Sequence, residues 1–485
     1  MANKLYEESS VSAIATAIRN QNGSNNTYTI AQMAPAINAL SFDITNSIIK
    51  KYKATTNTIS ARTFVEFVNG EMGSSNGTDT RLSTENGSYV NSSAIAIGED
   101  EVFVIYNYDS NSLHGMICHI EGSNITVGAD AELYSGSDFY YNGGASMAQL
   151  DSDGLTRRVF VTFLVNDPLG DYDVYGLVCN ITDTITHGAA TKLSDTTFYV
   201  AFTNTICLDG SKIFILCVRA QNRYAYGVVC NVSGTTISRV CESLLTSQAN
   251  GNVSPYAHKL SSSSVFVTHS VNNYLYGMIC TISSNSITPG TDTQLTTVEY
   301  TNYVTSIGTL EAGTKLFLVA PYKVTGVEDP WFCLGAIICN ISGNTITHGT
   351  HTRLLNYDYT YQEARVAVLS PTKVFISHRS SGSTPNRLYG MECTISGDTI
   401  TPGTDYRLSS DSSSAYIRNC PVALDSDRVF ISHRAYPSNA KLYGVVVGAS
   451  KTIKLPETKI DGVTKEQCTT STAGDVWEWN QLIPV

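Results

Sequence analysis

The sequence predicts an all-β fold built from seven repeated units of four strands. The first observation is a strand containing a Gly that recurs every 50 to 61 residues, at Gly115, Gly176, Gly227, Gly277, Gly335, Gly390 and Gly444. The second is a strand containing a Phe that also recurs seven times, at Phe103, Phe160, Phe214, Phe266, Phe317, Phe375 and Phe430. The third is an outer strand with a Gly-Thr-Asp type motif. A fixed period in this range is typical of solenoids, propellers and arrays.

One repeat shows how each strand is predicted. Residues 364–369 alternate apolar and polar side chains, and 373–378 (KVFISH) form a second such run after a Ser-Pro-Thr turn. Residues 388–395 (LYGMECTI) give the third strand. A Ser-Gly-Asp hairpin turn then leads to the fourth strand, 399–408. Four antiparallel strands in about 50 residues match a β-propeller blade.

The order of the motifs predicts how the ring closes. The first outer-strand copy, 77–82, precedes every Phe strand, and no copy follows the last Gly strand. We therefore expect residues 78–83 to pair with 442–447, so that both ends of the chain share one blade and no free sheet edge remains. The resulting segments are 1–40, a helical attachment segment; 41–58, a neck; 59–449, the seven-bladed propeller; and 450–485, a small β-rich tail.

Composition excludes several classes of function. The chain of 485 residues has a net charge of −11 and no run of Lys or Arg, so nucleic acid is not an expected partner. The sequence has no run of 18 apolar residues, so no membrane-spanning helix is predicted. Six of the 12 cysteines recur at one site of the Gly strand, at Cys118, Cys179, Cys230, Cys280, Cys339 and Cys393. Equivalent sites in neighbouring blades lie too far apart for disulfides, so we expect these cysteines to be free thiols in the core. We therefore expect the protein to be made in a reducing cytoplasm.

The N-terminal segment carries two helical stripes of apolar residues. The first stripe comprises Val11, Ile14 and Ile18, and the second comprises Met33, Ile37 and Leu40. Pro35 is expected to kink or shorten the second helix. Two short helices bury little surface alone, so we expect them to pack against another copy of the chain or against another protein.

The same segment resembles the N-terminal helical segment of bacteriophage tail and fibre proteins. The residues that carry the resemblance are Ala13–Arg19, Gly23, Tyr28, Met33, Ala34 and Ile37. Residues 459–479 are similar to a short β-rich tail common in phage structural proteins. The resemblance implies a virion protein, made in the cytoplasm of the bacterial host and attached to other virion proteins through its N-terminal helices. It further implies a homo-oligomer, such as a trimer, that displays the propeller.

Loop lengths predict where a ligand binds. The spacing between the third-strand Gly and the outer-strand Gly is nearly constant, whereas the second-to-third loops vary. These variable loops share one face, the variable face, with the blade-to-blade segments, and the tight hairpins form the hairpin face. Variable loops on a rigid scaffold concentrate binding residues, and Tyr-rich surfaces suit recognition. We therefore expect contacts to a bacterial surface polysaccharide from Tyr140, Tyr141, Tyr199, Tyr300, Tyr303, Trp331, Tyr357, Tyr359, Tyr361 and Tyr416. Further tyrosines, Tyr108 and Tyr172 among them, lie in or beside the second-to-third loops.

No catalytic residue, metal site or cofactor is predicted. His269, His378 and His433 recur at the end of the second strand and are interpreted as strand caps, with a metal or acidic-sugar site as the alternative reading. The recurring Asp79, Asp292 and Asp405 are assigned to the outer-strand repeat. The sequence therefore predicts a receptor-binding protein that is not an enzyme. Two alternatives stay open: a structural virion component that binds only other virion proteins, and a glycan-cleaving propeller.

Overall fold

The computed structural model describes most of the chain between residues 49 and 478. The described residues are 49–54, 59, 64–83, 92–108, 111–140, 145–152, 156–166, 172–194, 200–219, 224–246, 255–299, 306–323, 332–355, 360–381, 387–408, 417–435, 441–454, 462–464 and 474–478. The predicted N-terminal helices, with Val11, Ile14, Ile18, Met33, Ile37 and Leu40, lie outside this part of the chain. No helix long and apolar enough to cross a membrane occurs among these residues.

The structure is an all-β propeller with seven blades of four antiparallel strands, which confirms the predicted fold class. The strands of blades 1 to 3 are Ser92–Gly98, Glu101–Asn107, Ser112–Glu121 and Asn124–Ser135; Ser146–Ser152, Arg157–Asn166, Tyr172–Ile181, Ile185–His187 and Thr191–Lys192; and Val200–Cys207, Lys212–Arg219, Ala225–Ser233 and Thr236–Leu244. In blade 2 the two short strands together form the outer strand, and the same division occurs in blades 4 and 5.

Blades 4 to 7 follow the same order from the inner strand outward. Their strands are Tyr256–Ser261, Ser264–Val271, Tyr274–Ile282, Ile287–Pro289 and Thr293–Gln294; Ser306–Glu311, Lys315–Lys323, Phe332–Ser342, Thr345–His348 and Thr352–Arg353; Thr360–Ser370, Lys373–Ser381, Arg387–Ser396 and Thr399–Arg407; and Ile417–Ala423, Arg428–Ala435, Lys441–Lys454 and Thr80–Arg81. In blade 7, Thr80 pairs with Gly444 and Arg81 with Tyr443, so residues from both ends of the propeller form one sheet.

The propeller forms one compact unit, Met72–Gly448. A second unit comprises Met1–Glu71 and Ala449–Val485. Its described strands include Ile49–Ala54, which lies in the expected neck and pairs antiparallel with Gly474–Glu478. Gly474–Glu478 also pairs with Gly462–Thr464, and Phe64 and Val65 of the strand Phe64–Asn76 pair with Val463 and Gly462.

Each blade is organised by a Phe ring that lies against a Gly. The recurring Phe of the second strand is fully buried in all seven blades. The Gly of the third strand pairs with the residue two positions after that Phe, so Phe and Gly occupy the same face of the sheet. A Cβ built on Gly390 would lie 2.4 Å from the Phe375 ring, and one built on Gly277 would lie 2.7 Å from the Phe266 ring. The ring therefore occupies the space that any larger residue would need.

Blade 5 departs from the motif alignment. Gly335 pairs with Ala320, three residues after Phe317, and Ala336 pairs with Val319 at the register position that holds Gly elsewhere. The sequence alignment of Gly335 with the other six glycines was therefore wrong by one residue. Gly335 is needed for a different contact, because the side chains nearest to a Cβ built there are those of His351 and Tyr322.

Adjacent inner strands are joined by side chains, since they are edge strands with unpaired backbone groups. In four junctions a side chain of one blade accepts a hydrogen bond from a backbone N–H of the next blade. These bonds run from Thr205 N to Ser146 Oγ (3.0 Å), Ala257 N to Asn204 Oδ1 (2.8 Å), Val366 N to Ser306 Oγ (3.2 Å) and Ala94 N to Cys420 Sγ (3.3 Å). We call the accepting residue the clasp position.

The clasp position has one register in every blade, because each clasp residue pairs with the residue two positions after the recurring Phe. From blade 1 to blade 7 the seven clasp residues are Ser93, Ser146, Asn204, Tyr256, Ser306, Arg365 and Cys420. The backbone N–H that donates to a clasp residue belongs to the inner strand of the next blade. It is the N–H of the residue that pairs with the position one after the recurring Phe of that blade. Four of the seven junctions are therefore closed by the same bond between a side chain and the backbone.

Gly390→Ala should destabilise the propeller, because the added methyl group overlaps the buried Phe375 ring. Overpacking of this kind costs about 1–3 kcal/mol, measured as the loss of unfolding free energy in urea. Gly397→Asn is the matched control in the same blade. A Cβ there meets nothing within 4 Å, and Asn tolerates its φ of 58°. Equal stability of G390A and the wild type would contradict the proposed packing role.

Candidate functional site

The variable face gathers the second-to-third loops and the blade-to-blade segments at one end of the blades, because consecutive strands of each blade are antiparallel. Of the ten predicted ligand residues, Tyr140 is described together with its side chain, and Tyr361 lies in the inner strand of blade 6, paired with Ser380. The others lie outside the described residues: Tyr141, Tyr199, Tyr300, Tyr303, Trp331, Tyr357, Tyr359 and Tyr416.

Tyr140 forms an aromatic pair with Tyr172 at the start of blade 2. The two rings are stacked with centroids 3.8 Å apart and planes inclined by 29°. Both side chains are half-buried, and both pack against the core that blades 2 and 3 share. The backbone of Tyr140 is fixed by a 3.0 Å hydrogen bond from its N–H to the Leu164 carbonyl. The pair is therefore held in place and leaves part of its aromatic surface open to solvent.

Charged and hydroxyl groups meet on the opposite face of the same strand. Asp173, directly after Tyr172, is buried and accepts hydrogen bonds from Lys192 Nζ at 2.7 Å and Ser194 Oγ at 3.2 Å. The Lys192 side chain stays 41% exposed, so its ammonium group remains accessible while Asp173 fixes its position. Sequence reasoning did not identify Asp173, Lys192 or Ser194 as candidate site residues.

A second aromatic cluster anchors the connection between blades 1 and 2, which leads to Tyr140. Tyr134 lies 4.8 Å from the Phe163 ring, and its hydroxyl donates to both carboxylate oxygens of Asp138 at 3.1 and 3.2 Å. Burial, together with the negative charge of Asp138, raises the pKa of Tyr134 to about 12. Phe139 is buried between these groups and bridges to Val165. This segment is therefore anchored immediately before Tyr140.

The recurring histidines form pairs with the recurring aspartates. His269 Nε2 lies 2.8 Å from Asp292 Oδ1. The corresponding distance is 3.0 Å both for His378 with Asp405 and for His433 with Asp79. All three rings are buried, and each lies beside a third-strand Tyr whose ring centroid is 5.8 to 6.0 Å away. The interpretation as strand caps was incomplete, because each His bonds across its own blade to the outer strand.

The repeat contained a signal for these pairs. Blade 1 has Tyr106 at the His position and Asp130 at the Asp position, and the Tyr106 hydroxyl donates to Asp130 at 2.6 Å. Blade 2 has Phe163 and Ala190, so the polar donor and its acceptor are absent together. This covariation within the chain indicates a structural pair that satisfies a buried polar ring.

The cysteines of the third strand are core residues. Cys118, Cys179, Cys230, Cys280, Cys339 and Cys393 are buried and free. Burial raises the pKa of each of these thiols to about 12. The thiolate, which is the reactive form, is therefore scarce at neutral pH. In the part of the chain that the structure describes, no group of three or more His, Cys, Asp or Glu residues is placed to hold a metal ion.

Two polar cavities lie on the opposite, hairpin face at the junction of blades 2 and 3. One has a volume of about 470 Å³ and is lined by Asp151, Thr156, Arg158, Asn180, Thr182, Thr184 and Thr186. The other, of about 500 Å³, shares Asp151 and Arg158. Arg158 bonds to Asp151 and donates to the Gly234 carbonyl of blade 3 at 3.0 Å. This arginine therefore links the two blades, and no predicted ligand residue lines either cavity.

No family model and no curated protein matches the chain. Among solved structures it is similar to an ulvan lyase from a new family of polysaccharide lyases (TM-score 0.49, 10% identity, covering 81% of this chain and 97% of that one). It is also similar to the NanB sialidase of Streptococcus pneumoniae (0.43, 9%, 77% and 70%) and to the Aleuria aurantia lectin in complex with alpha-methyl-L-fucoside (0.36, 13%, 64% and 97%).

These comparisons correct one expectation and leave another without support. The sequence predicted that the chain is not an enzyme, but the structures it resembles include a polysaccharide lyase and a sialidase, which are enzymes. No phage tail or fibre protein is among the matches given above.

Asp405→Ala should destabilise the chain by about 1–3 kcal/mol, because the buried His378 ring loses its acceptor. Adding His378→Phe should restore most of this loss, since blade 2 already combines Phe163 with Ala190. A double-mutant cycle in urea measures the coupling. Strictly additive effects of the two substitutions would contradict a structural pair.

Proposed function

We propose that the propeller binds a bacterial surface polysaccharide on its variable face, with Tyr140 and Tyr172 as the stacking platform. The observation that supports this most directly is the half-buried, stacked pair of tyrosines on the face where the loops differ between blades. A rigid aromatic ring offers a large contact area at a low cost in conformational entropy.

The rest of the proposal concerns where the protein works. We propose a receptor-binding protein of a phage tail or fibre, attached to other virion proteins through residues 1–40 and displayed on the particle as a homo-oligomer. Its support is the sequence resemblance of residues 13–37 and 459–479 to phage structural proteins. Nearly all of these residues lie outside the described part of the chain.

Tyr172→Ala in the full-length chain should weaken binding to a host polysaccharide about tenfold, which corresponds to about 1.4 kcal/mol. Tyr172→Phe should bind as the wild type does, because it keeps the ring. The measurement is saturation binding to a panel of purified surface polysaccharides and to host cells, with thermal unfolding of each variant. Thr401→Ala, an exposed change on the hairpin face, is the control.

The same panel separates the remaining functions. Release of reducing ends or unsaturated sugars during incubation would show that the protein cleaves the glycan that it binds. A folded chain that binds no polysaccharide, but binds other virion proteins, would overturn the proposal in favour of a structural component.

Ile14→Asp combined with Ile18→Asp should convert the full-length protein from an oligomer to a monomer, because charges on the apolar stripe oppose helix association. Sedimentation velocity measures the change. Asn20→Asp, which adds a charge outside that stripe, is the control. A wild-type chain that is monomeric at micromolar concentration would contradict the proposed oligomer.

A further inference from the structure

The inner strands of the seven blades line the central channel of the propeller. The chain enters each inner strand from the variable face, and Ser146, Tyr256 and Ser306 are the first residues of theirs. The seven clasp residues share one register and therefore form a ring around the channel, which lies at the variable-face end of the inner strands in blades 2, 4 and 5. Four of them close junctions between blades. Tyr256 and Arg365 depart from the small acceptors found at the other five positions.

A second departure explains why Arg365 is tolerated. The position of blade 7 that would donate to residue 365 is Pro421, which has no backbone N–H. An acceptor in blade 6 would therefore have no donor to bind. Asn419 closes this junction instead, since its Oδ1 accepts from Ser377 Oγ at 2.5 Å and its Nδ2 donates to the Glu363 carbonyl at 2.8 Å. The junction between blades 6 and 7 therefore does not need a hydrogen-bond acceptor at residue 365, and Arg can occupy that position.

Groups from three other blades influence Tyr256 of blade 4. The Asn204 side chain of blade 3 hydrogen-bonds to Tyr256 of blade 4. Burial raises the pKa of Tyr256, whereas the positive charge of Arg365 in blade 6 opposes that rise, and Cys420 of blade 7 also acts on the phenol. The strand register places Tyr256, Arg365 and Cys420 at the same level of their inner strands. Tyr256 and Arg365 are both half-buried.

The charge of Arg365 has no protein counterion among the described residues, where it forms neither an ion pair nor a hydrogen bond. A planar guanidinium group binds carboxylates through two parallel hydrogen bonds. The chain as a whole carries a net charge of −11, so its overall field does not attract anions. A bound anion at this place would therefore depend on the local cation.

We propose that the channel mouth binds the carboxylate of an acidic sugar, with Arg365 as its cationic partner and the Tyr256 hydroxyl as an additional donor. This inference rests on the proposed function, since it names the class of glycan: a uronic-acid or similarly carboxylated polysaccharide. The ring of Tyr256 supplies an apolar surface beside the carboxylate, and the Asn204 amide fixes the position of the phenol.

The first test compares two ligands with the unchanged full-length protein. Methyl glucuronide and methyl glucoside differ only in a carboxylate against a hydroxymethyl group. Titration calorimetry should show at least tenfold tighter binding of the glucuronide. A polysaccharide of uronic acids should likewise bind more tightly than the same polymer after chemical reduction of its carboxyl groups.

Variants then locate the site. Arg365→Gln should weaken glucuronide binding at least tenfold and leave glucoside binding unchanged, and Tyr256→Phe should weaken it a few-fold. Lys259→Gln is the matched control, because Lys259 is an exposed cation near the other end of the same inner strand as Tyr256. Thermal unfolding of each variant shows whether the ring remains closed.

The outcomes separate this inference from the proposed function. Equal binding of glucuronide and glucoside, or an Arg365→Gln protein that binds glucuronide as the wild type does, would overturn the carboxylate site. Polysaccharide binding that requires Tyr172 but not a carboxylate would leave the proposed function standing without it. Glucuronide binding without binding to any polysaccharide would overturn the proposed function. The ligand comparison needs no variant, so a poorly folded substitution does not prevent the test.

Discussion

The contact between a buried Phe ring and a Gly backbone is the constraint on which the blades depend. It fixes the register of the second and third strands, because the ring covers the space where a side chain would otherwise project. It recurs in six of the seven described blades, and in blade 5 the equivalent position holds Ala336. A Phe buried against a Gly contributes a large apolar contact without a competing side chain. The regular spacing of Phe and Gly in the sequence reflects this packing, since six blades present the same pair at the same distance along their strands.

Closure of the ring follows a different principle. Inner strands of adjacent blades do not pair as a sheet, so their edge N–H groups need partners from side chains. Ser, Asn and Cys at the clasp position supply them in four junctions. Between blades 4 and 5, His258 hydrogen-bonds to Thr309, and burial lowers the pKa of His258 to about 4, so the ring is neutral at physiological pH. The blades thus share one core design, whereas each junction has its own chemistry.

The sequence predicted the features that repeat from blade to blade, but it did not predict the individual pairs of side chains. Strand order, the number of blades and the buried thiols follow from periodicity, which needs only one sequence. The bonds between His378 and Asp405 and between Ser146 and Thr205 join residues that are distant in sequence and become neighbours only through the strand register. Tyr140 was predicted from composition, but its partner Tyr172 was not selected, since loop composition does not show which rings stack. Gly335 was misaligned because blade 5 has Ala336 at the register position of the other glycines, and matching on Gly alone does not detect this substitution.

Departures from a repeat indicate function only when nothing else in the structure compensates for them. Phe163 replaces a buried His, and Ala190 replaces its Asp, so that change is balanced within blade 2 and needs no ligand. Pro421 removes a donor, and Asn419 closes the junction by another route, so that change is balanced as well. Arg365 is different: its place in the ring is explained by Pro421, but its charge is balanced by no ion pair among the described residues. A charge kept half-buried without a counterion costs stability, and a ligand that supplies the counterion is the simplest physical reason for keeping it. By the same reasoning, the clasp position of blade 4, where five other blades have a small acceptor, holds a Tyr whose hydroxyl would donate to the anion proposed at Arg365.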